Sequence, residues 1–226
     1  MSMHNMTDKT NRSIYGLEFA YDTIPNKLVP FDYDTFEKTG CRLTVVCTDC
    51  ETGKPFYYQG PNERTITDYL RASSSIPLVS PMVELDGRKF VDGGVGDSIP
   101  LQRMLDEGFI KNVVVLTRNL GYQKKRSHTG FVAKMKYHNY PNLVDAIENR
   151  YQNYNESLAL CEAQEREGAA LVLRPSKPVE LDRFEKDREK LLALYQNGYE
   201  DAENMIDTIR QFCDGAENVN LSLNRA

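Results

Sequence analysis

The pair Asp86-Gly87, set between two apolar runs at residues 81–85 (PMVEL) and 88–91 (RKFV), constrains this chain more than any other feature. An Asp-Gly pair suits a two-residue hairpin turn, and alternating apolar residues on both sides make the flanks its strands. The second strand delivers Asp92 at its end. Residues 42–47 (RLTVVC) are β-branched and apolar on both faces, as in a strand inside a sheet, and residues 54–59 read as its hairpin partner.

The remaining periodicity predicts an α/β chain. Residues 62–72 read as a helix, with Thr65 or Thr67 as cap. Residues 100–107 form another, with Pro100 near its start and Gly108 at the C′ position. Residues 112–117 (NVVVLT) read as a buried strand, which gives β, α, β order. The stretch 133–168 is mostly helical and rich in Tyr, and residues 170–174 close it with a further strand. Ahead of all this, residues 13–36 read as a connecting segment, because Pro25 and Pro30 impose extended or turn geometry. Residues 181–212 carry apolar side chains at the three-and-four spacing of an amphipathic helix, divided in two at Asn197-Gly198. The polar ends, residues 1–12 and 218–226, read as disordered.

Composition narrows the function classes. With 28 basic and 33 acidic residues and a net charge of -5, the chain has no general basic field to hold a phosphate backbone, so nucleic acid is not an expected partner. No apolar run reaches the roughly 18 to 20 residues of a membrane span, and the opening lacks a secretory signal. The chain is expected to be cytosolic. Five cysteines, an odd number, fit free thiols in a reducing compartment. Cys47-x-x-Cys50 has no second Cys or His pair to complete a zinc site, and the turn that follows it leads into another strand, not into the helix of a thioredoxin-like motif. No metal or cofactor is expected.

Asp92-Gly93-Gly94 directly follows a predicted strand, where α/β folds assemble their sites. Taken alone, the triplet is also compatible with a plain turn in which the aspartate caps its own backbone and a glycine supplies positive φ. The block around it is more specific: Arg71-Ala-Ser-Ser-Ser-Ile-Pro77, the hairpin, then Phe90-Val-Asp-Gly-Gly-Val-Gly-Asp-Ser-Ile-Pro100. This block, with IPNKLVPFDYDTF at residues 24–36 and the trailing helical region, resembles the patatin-like phospholipase family, in its bacterial members.

The resemblance implies a patatin-like α/β fold: an open, mostly parallel sheet flanked by helices, incomplete at its N-terminal side, followed by a C-terminal helical extension. It divides the chain into a tail at 1–12, the α/β part at 13–176 and the extension at 177–226. It also implies a Ser-Asp dyad acting on lipid acyl esters without histidine, with Asp92 as the aspartate and Gly93 and Gly94 shaping its turn. The three histidines suit this role poorly, His4 lying in the polar tail and His128 and His138 in a polar stretch.

Family members carry a glycine-rich oxyanion loop and a Gly-x-Ser-x-Gly elbow ahead of these segments, and neither occurs in this sequence. Loss of a serine nucleophile costs on the order of a millionfold in turnover, so the chain alone is expected to be inert toward esters. The missing elbow strand is expected to leave apolar strand faces and an unpaired sheet edge, favouring self-association or a partner fragment. The short polar opening reads as a junction or an alternative start. A second reading is a non-catalytic scaffold or interaction protein derived from the same fold. Lys124-Lys125-Arg126, with Lys134 and Lys136, is either a contact for anionic lipid head groups at a membrane surface or a solvated loop.

Overall fold

The computed structural model describes residues 19–60, 63–181 and 185–223. The expected disordered tail at 1–12 lies outside the described residues. The chain divides into two compact units, residues 1–99 with 125–154, and residues 100–124 with 155–226.

In the first unit four strands form a sheet in the order β2-β1-β4-β3, with β1 at Val45–Asp49, β2 at Pro55–Tyr58, β3 at Val83–Leu85 and β4 at Arg88–Asp92. Both hairpins are where the sequence places them. Asp86 and Gly87 both have positive φ, 51° and 72°, which is the two-residue turn that an Asp-Gly pair favours. Every pairing in this sheet is antiparallel, since its hairpin neighbours are joined by tight turns and not by crossover helices. β4 aligns with β1 so that Cys47 faces Asp92, Thr48 faces Val91 and Asp49 faces Phe90.

Alternation along β4 sends consecutive buried residues to opposite faces. Phe90 joins Val45, Cys47, Val83 and, from helix α3 (Glu63–Ser73), Tyr69 and Ala72. Val91 joins Cys50, Val95 and residues of helices α5 (Gly130–Lys136) and α6 (Pro141–Arg166): Ala133, Tyr137, Leu143 and Val144. The sheet is thereby covered on both faces, the arrangement that makes an α/β layer stable. Helix α3 begins at Glu63, so Thr65 and Thr67 lie within it and do not cap it.

The segment expected to be an extended connection is helical instead. Residues Phe19–Leu28 form α1, wound as a π-helix with the Val29 amide donating to the Ile24 carbonyl at 2.8 Å. The wider i to i−5 spacing tolerates Pro25, whose missing N–H interrupts a tighter helix. Helix α2 (Tyr33–Thr39) follows, started by Asp32, whose carboxylate accepts from the Thr35 amide at 2.9 Å, and stopped by Gly40 at φ 66°. Those Asx and glycine caps outweigh the proline signal on which the extended reading rests.

In the second unit β5 (Asn112–Val115) and β6 (Ala170–Leu173) form a parallel pair, with Asn112 beside Ala170 and Val115 beside Leu173. Helix α4 (Leu101–Asp106) precedes β5, and Gly108 follows at φ 88° in the expected C′ conformation. β5 is not buried on both faces, as its composition predicts: Val113 and Val115 are exposed. Nor does Asn197-Gly198 divide the last helix. Helix α7 runs unbroken over Arg188–Leu223, including the C-terminal stretch expected to be disordered up to that residue. Asn197 is buried and satisfied within the helix, accepting from the Ser176 hydroxyl at 3.2 Å and donating to Asp201 at 3.0 Å, so it does not compete for the backbone as a turn asparagine does.

At the far end of β1, Asp49 is buried and fully engaged. One oxygen accepts from the Thr52 amide and hydroxyl at 2.8 and 2.9 Å; the other meets Arg88 Nε and Nη2 at 3.0 and 2.8 Å. Arg88 in turn lies over Phe56, 4.5 Å from the ring centroid. Burial pushes the Asp49 carboxyl up, but the Thr52 bonds and the Arg88 charge together outweigh it and hold the carboxyl below its ordinary value. A depressed folded pKa contributes stability above the unfolded value of about 3.9 and loses it as pH falls through the folded one. Asp49→Asn is therefore expected to cost about 1.5–3 kcal/mol at pH 7. The gap between the two proteins in urea-unfolding midpoint should narrow steadily below about pH 4.

Candidate active site

Asp92 is the last residue of β4, and the chain beyond it turns at once into a single 3₁₀ turn, Gly93–Val95. Its carboxylate reaches forward to its own turn: Oδ1 accepts from the Gly94 amide at 2.7 Å. Among the described residues that is the carboxylate's one hydrogen bond, which leaves Oδ2 available.

The backbone under Asp92 is held from three sides. Its amide donates to the Ser75 carbonyl at 2.9 Å, and Ser75 is itself fixed at the end of α3 by a 2.9 Å bond from its hydroxyl to the Arg71 carbonyl. The Ala-Ser run and the aspartate, on either side of the β3–β4 hairpin's first strand in sequence, thus meet directly. Thr48 of β1, fully buried, donates to the Asp92 carbonyl at 2.8 Å and accepts from the Gly96 amide at 2.9 Å, so one hydroxyl ties the start of the turn to its end. From α6, Arg150 Nε donates to the Gly94 carbonyl at 2.5 Å, and the Ser98 hydroxyl donates to that same oxygen at 2.6 Å.

Neither Gly93 nor Gly94 adopts the positive φ of the plain-turn alternative, and both lie close to neighbouring atoms. A Cβ on Gly93 would run into the Val46 carbonyl, its carbon only 2.6 Å away. A Cβ on Gly94 would lie 3.0 Å from both Asp92 Oδ1 and Arg150 Nη2, and 3.5 Å from Ser98 Oγ.

Three serines of the Ala-Ser run and the Asp92 turn are engaged elsewhere. Ser98 is committed to the Gly94 carbonyl, Ser75 to Arg71, and Ser74 accepts from the Tyr21 hydroxyl at 2.5 Å. None of them hydrogen-bonds the Asp92 carboxylate. His128 and His138 are both exposed, away from the buried surroundings of the turn. Cys47 lies beside Asp92 on the neighbouring strand, yet burial, with the Asp92 charge adding to it, pushes its thiol up to about 12. Burial likewise pushes Cys50 up to about 12, so neither thiol offers a thiolate nucleophile at neutral pH.

Residues 6–105 match the family model of the patatin-like phospholipases. Over this segment the chain is similar to the patatin-like phospholipases. Residues 140–214 match a second family model, described as a domain of unknown function (DUF6363). The patatin-like match takes in the whole antiparallel sheet, the Ala-Ser run and the Asp92 turn. Arg150, which holds that turn, comes from the region of the other match.

Thr48 and Arg150 are absent from the site as read from sequence. Thr48 gives no local signal, being one β-branched residue among several in a strand. Arg150 does leave one: it falls on the stripe Leu143, Ile147, Tyr154, Leu158 of α6, where an apolar residue belongs. Arginine on a buried stripe has a partner to reach.

Because Val46 presents backbone, which cannot move aside, Gly93→Ala is expected to destabilise the chain by at least about 1–3 kcal/mol. Gly94→Ala meets only the flexible ends of Arg150 and Asp92 and should unfold within about 1 kcal/mol of wild type. Urea denaturation of the two variants checks this ordering.

Proposed function

We propose that the chain contributes the aspartate of a Ser-Asp dyad that hydrolyses lipid acyl esters. The patatin-like segment supports a lipid-hydrolase fold, and the observation that carries the finer reading is the Asp92 carboxylate, whose Oδ1 is held by the Gly94 amide and whose Oδ2 has no hydrogen bond among the described residues, on a turn held by Thr48, Ser75 and Arg150. In this reading a serine hydroxyl beside Oδ2 attacks the ester carbonyl as Asp92 accepts its proton. Asp92 then passes the proton to the departing alcohol. Water, deprotonated by the same carboxylate, releases the fatty acid from the acyl-serine and restores the serine.

The serine is supplied from outside these 226 residues, since the sequence holds no Gly-x-Ser-x-Gly and the described serines near the turn are otherwise engaged. Exposed Val113 and Val115 on β5, whose hydrogen-bonded neighbour is β6, support the view that this edge meets another segment or a second copy of the chain. Among the described residues no helix is long and apolar enough to cross a membrane, and a cytoplasmic setting fits the free thiols. We also infer that the α/β part extends to about residue 176 and that 177–226 is a helical extension, since Pro175 and Pro178 interrupt the chain ahead of α7. The scaffold reading is favoured for the isolated chain by the same lack of a serine on Asp92.

Hydrolysis of a short-chain p-nitrophenyl ester tests the proposal. The chain alone is expected at background. Joined to a patatin-like segment bearing the elbow, it should turn over, and Asp92→Asn should then cost at least about ten-thousandfold. Turnover that survives the substitution would show that Asp92 is not the base.

A further inference from the structure

The charge of this acidic chain is strongly segregated. Between Glu107 and Asp145 there is no acidic residue, while Lys111, Arg118, Lys124, Lys125, Arg126, Lys134 and Lys136 supply seven cations against a net charge of -5 for the whole. Within the first unit four of them, Lys125, Arg126, Lys134 and Lys136, lie on α5 or just before it, and all four are exposed.

Helix α5 is amphipathic in an unusual sense, because apolar residues occupy both its sides. Its inner side is accounted for: Ala133 and Tyr137, four apart, are buried with Val91 and Val95, and the Tyr137 hydroxyl accepts from the Leu78 amide at 2.8 Å. Its outer side is not. Phe131 is 75% exposed, Met135 66% and Val132 53%, and the spacing of three and four puts them on one surface of the helix. Around them stand the cations. Lys134 is held by Glu148 at 2.9 Å, and Lys136 donates to the Leu78 carbonyl at 3.3 Å, so both are positioned beside the apolar cluster.

We propose that α5 is a membrane-docking element, with Phe131, Val132 and Met135 entering the head-group region of an anionic lipid surface and Lys125, Arg126, Lys134 and Lys136 meeting its charge. Exposed apolar anchors ringed by cations are complementary to an anionic bilayer, whose surface is charged and whose boundary is apolar. A polyanion such as nucleic acid satisfies the cations but has no use for a Phe-Val-Met surface. The inference rests on the lipid-hydrolase reading for its purpose: Val91, which α5 packs against, immediately precedes Asp92, so docking by α5 sets the height of the carboxylate relative to the lipid. Its test needs no turnover.

The experiment is flotation of the full chain with vesicles of phosphatidylcholine alone or mixed with phosphatidylglycerol, at low and high salt. Binding is expected to the mixed vesicles and to weaken with salt. Replacing Lys125 and Arg126 by Gln should lower it by about fivefold per charge. Phe131→Ser with Met135→Ser should lower it at least about tenfold at either salt, because the apolar contribution is not screened. Leu191→Ser with Leu192→Ser on α7, also exposed, should leave binding unchanged, and circular dichroism should show every variant folded. No binding to mixed vesicles, or binding that the α5 substitutions do not affect, overturns the proposal. So does a loss of self-association, seen by sedimentation, in place of a loss of vesicle binding in the Phe131 and Met135 variant, which would make a second copy of the chain the occupant. Vesicle binding without any hydrolysis by the elbow-complemented protein would leave the docking intact and reject the catalytic reading.

Discussion

The antiparallel pairing of β1 with β4 is the contact on which the candidate site depends. It brings the Thr48 hydroxyl under Asp92, where it spans from the Asp92 carbonyl to the Gly96 amide, and it lays the Val46 carbonyl against Gly93 so closely that no side chain fits there. A buried hydroxyl that both donates and accepts is fully satisfied, and a turn held this way loses little further entropy when it is used. The hairpin at Asp86-Gly87 sets the register of β4, and the register decides which face each residue takes: Phe90 toward α3, Val91 toward α5 and α6, and Asp92 at the edge. A slip of one residue would send Phe90 to the face of α5 and α6 and Val91 to that of α3.

Several parts of this arrangement are legible in the sequence because their causes are local. The two hairpins, helices α3 and α4, and the position of Asp92 at a strand end follow from turn chemistry and from periodicities of two and 3.6. The π-helix around Pro25 escapes because its i to i−5 backbone bonds leave no periodic mark in so short a segment. The continuity of α7 through Asn197-Gly198 depends on a side chain outside the helix, Ser176. β5 reads as buried because Asn-Val-Val-Val has no polar side to mark its exposed face. At the site, Asp92 is visible through its motif and Ser75 through the Ala-Ser run. Thr48 and Arg150 are visible only once the strands are paired and α6 is laid beside the turn.

The same layer links the site to its surroundings. Val91 lies one residue from Asp92 and in the cluster with Ala133 and Tyr137, so the rear of the aspartate strand and the inner face of α5 are one packed body. A lipid hydrolase has to act on a substrate that does not leave the bilayer readily, and an acidic protein is repelled by anionic head groups unless its cations are gathered on one side. Within the first unit, Lys125, Arg126, Lys134 and Lys136 gather cations on and just before α5.

The central claim is that Asp92 is a prepared half of a two-residue site whose serine is not among these 226 residues. Intact-mass analysis after exposure to a fluorophosphonate, which forms a covalent adduct only with an activated serine, tests it most directly. The mass of the isolated chain is expected to stay unchanged, both for wild type and for Asp92→Asn. A stoichiometric adduct on the wild type that disappears in Asp92→Asn would contradict it, because a serine within the chain would then be the partner of Asp92.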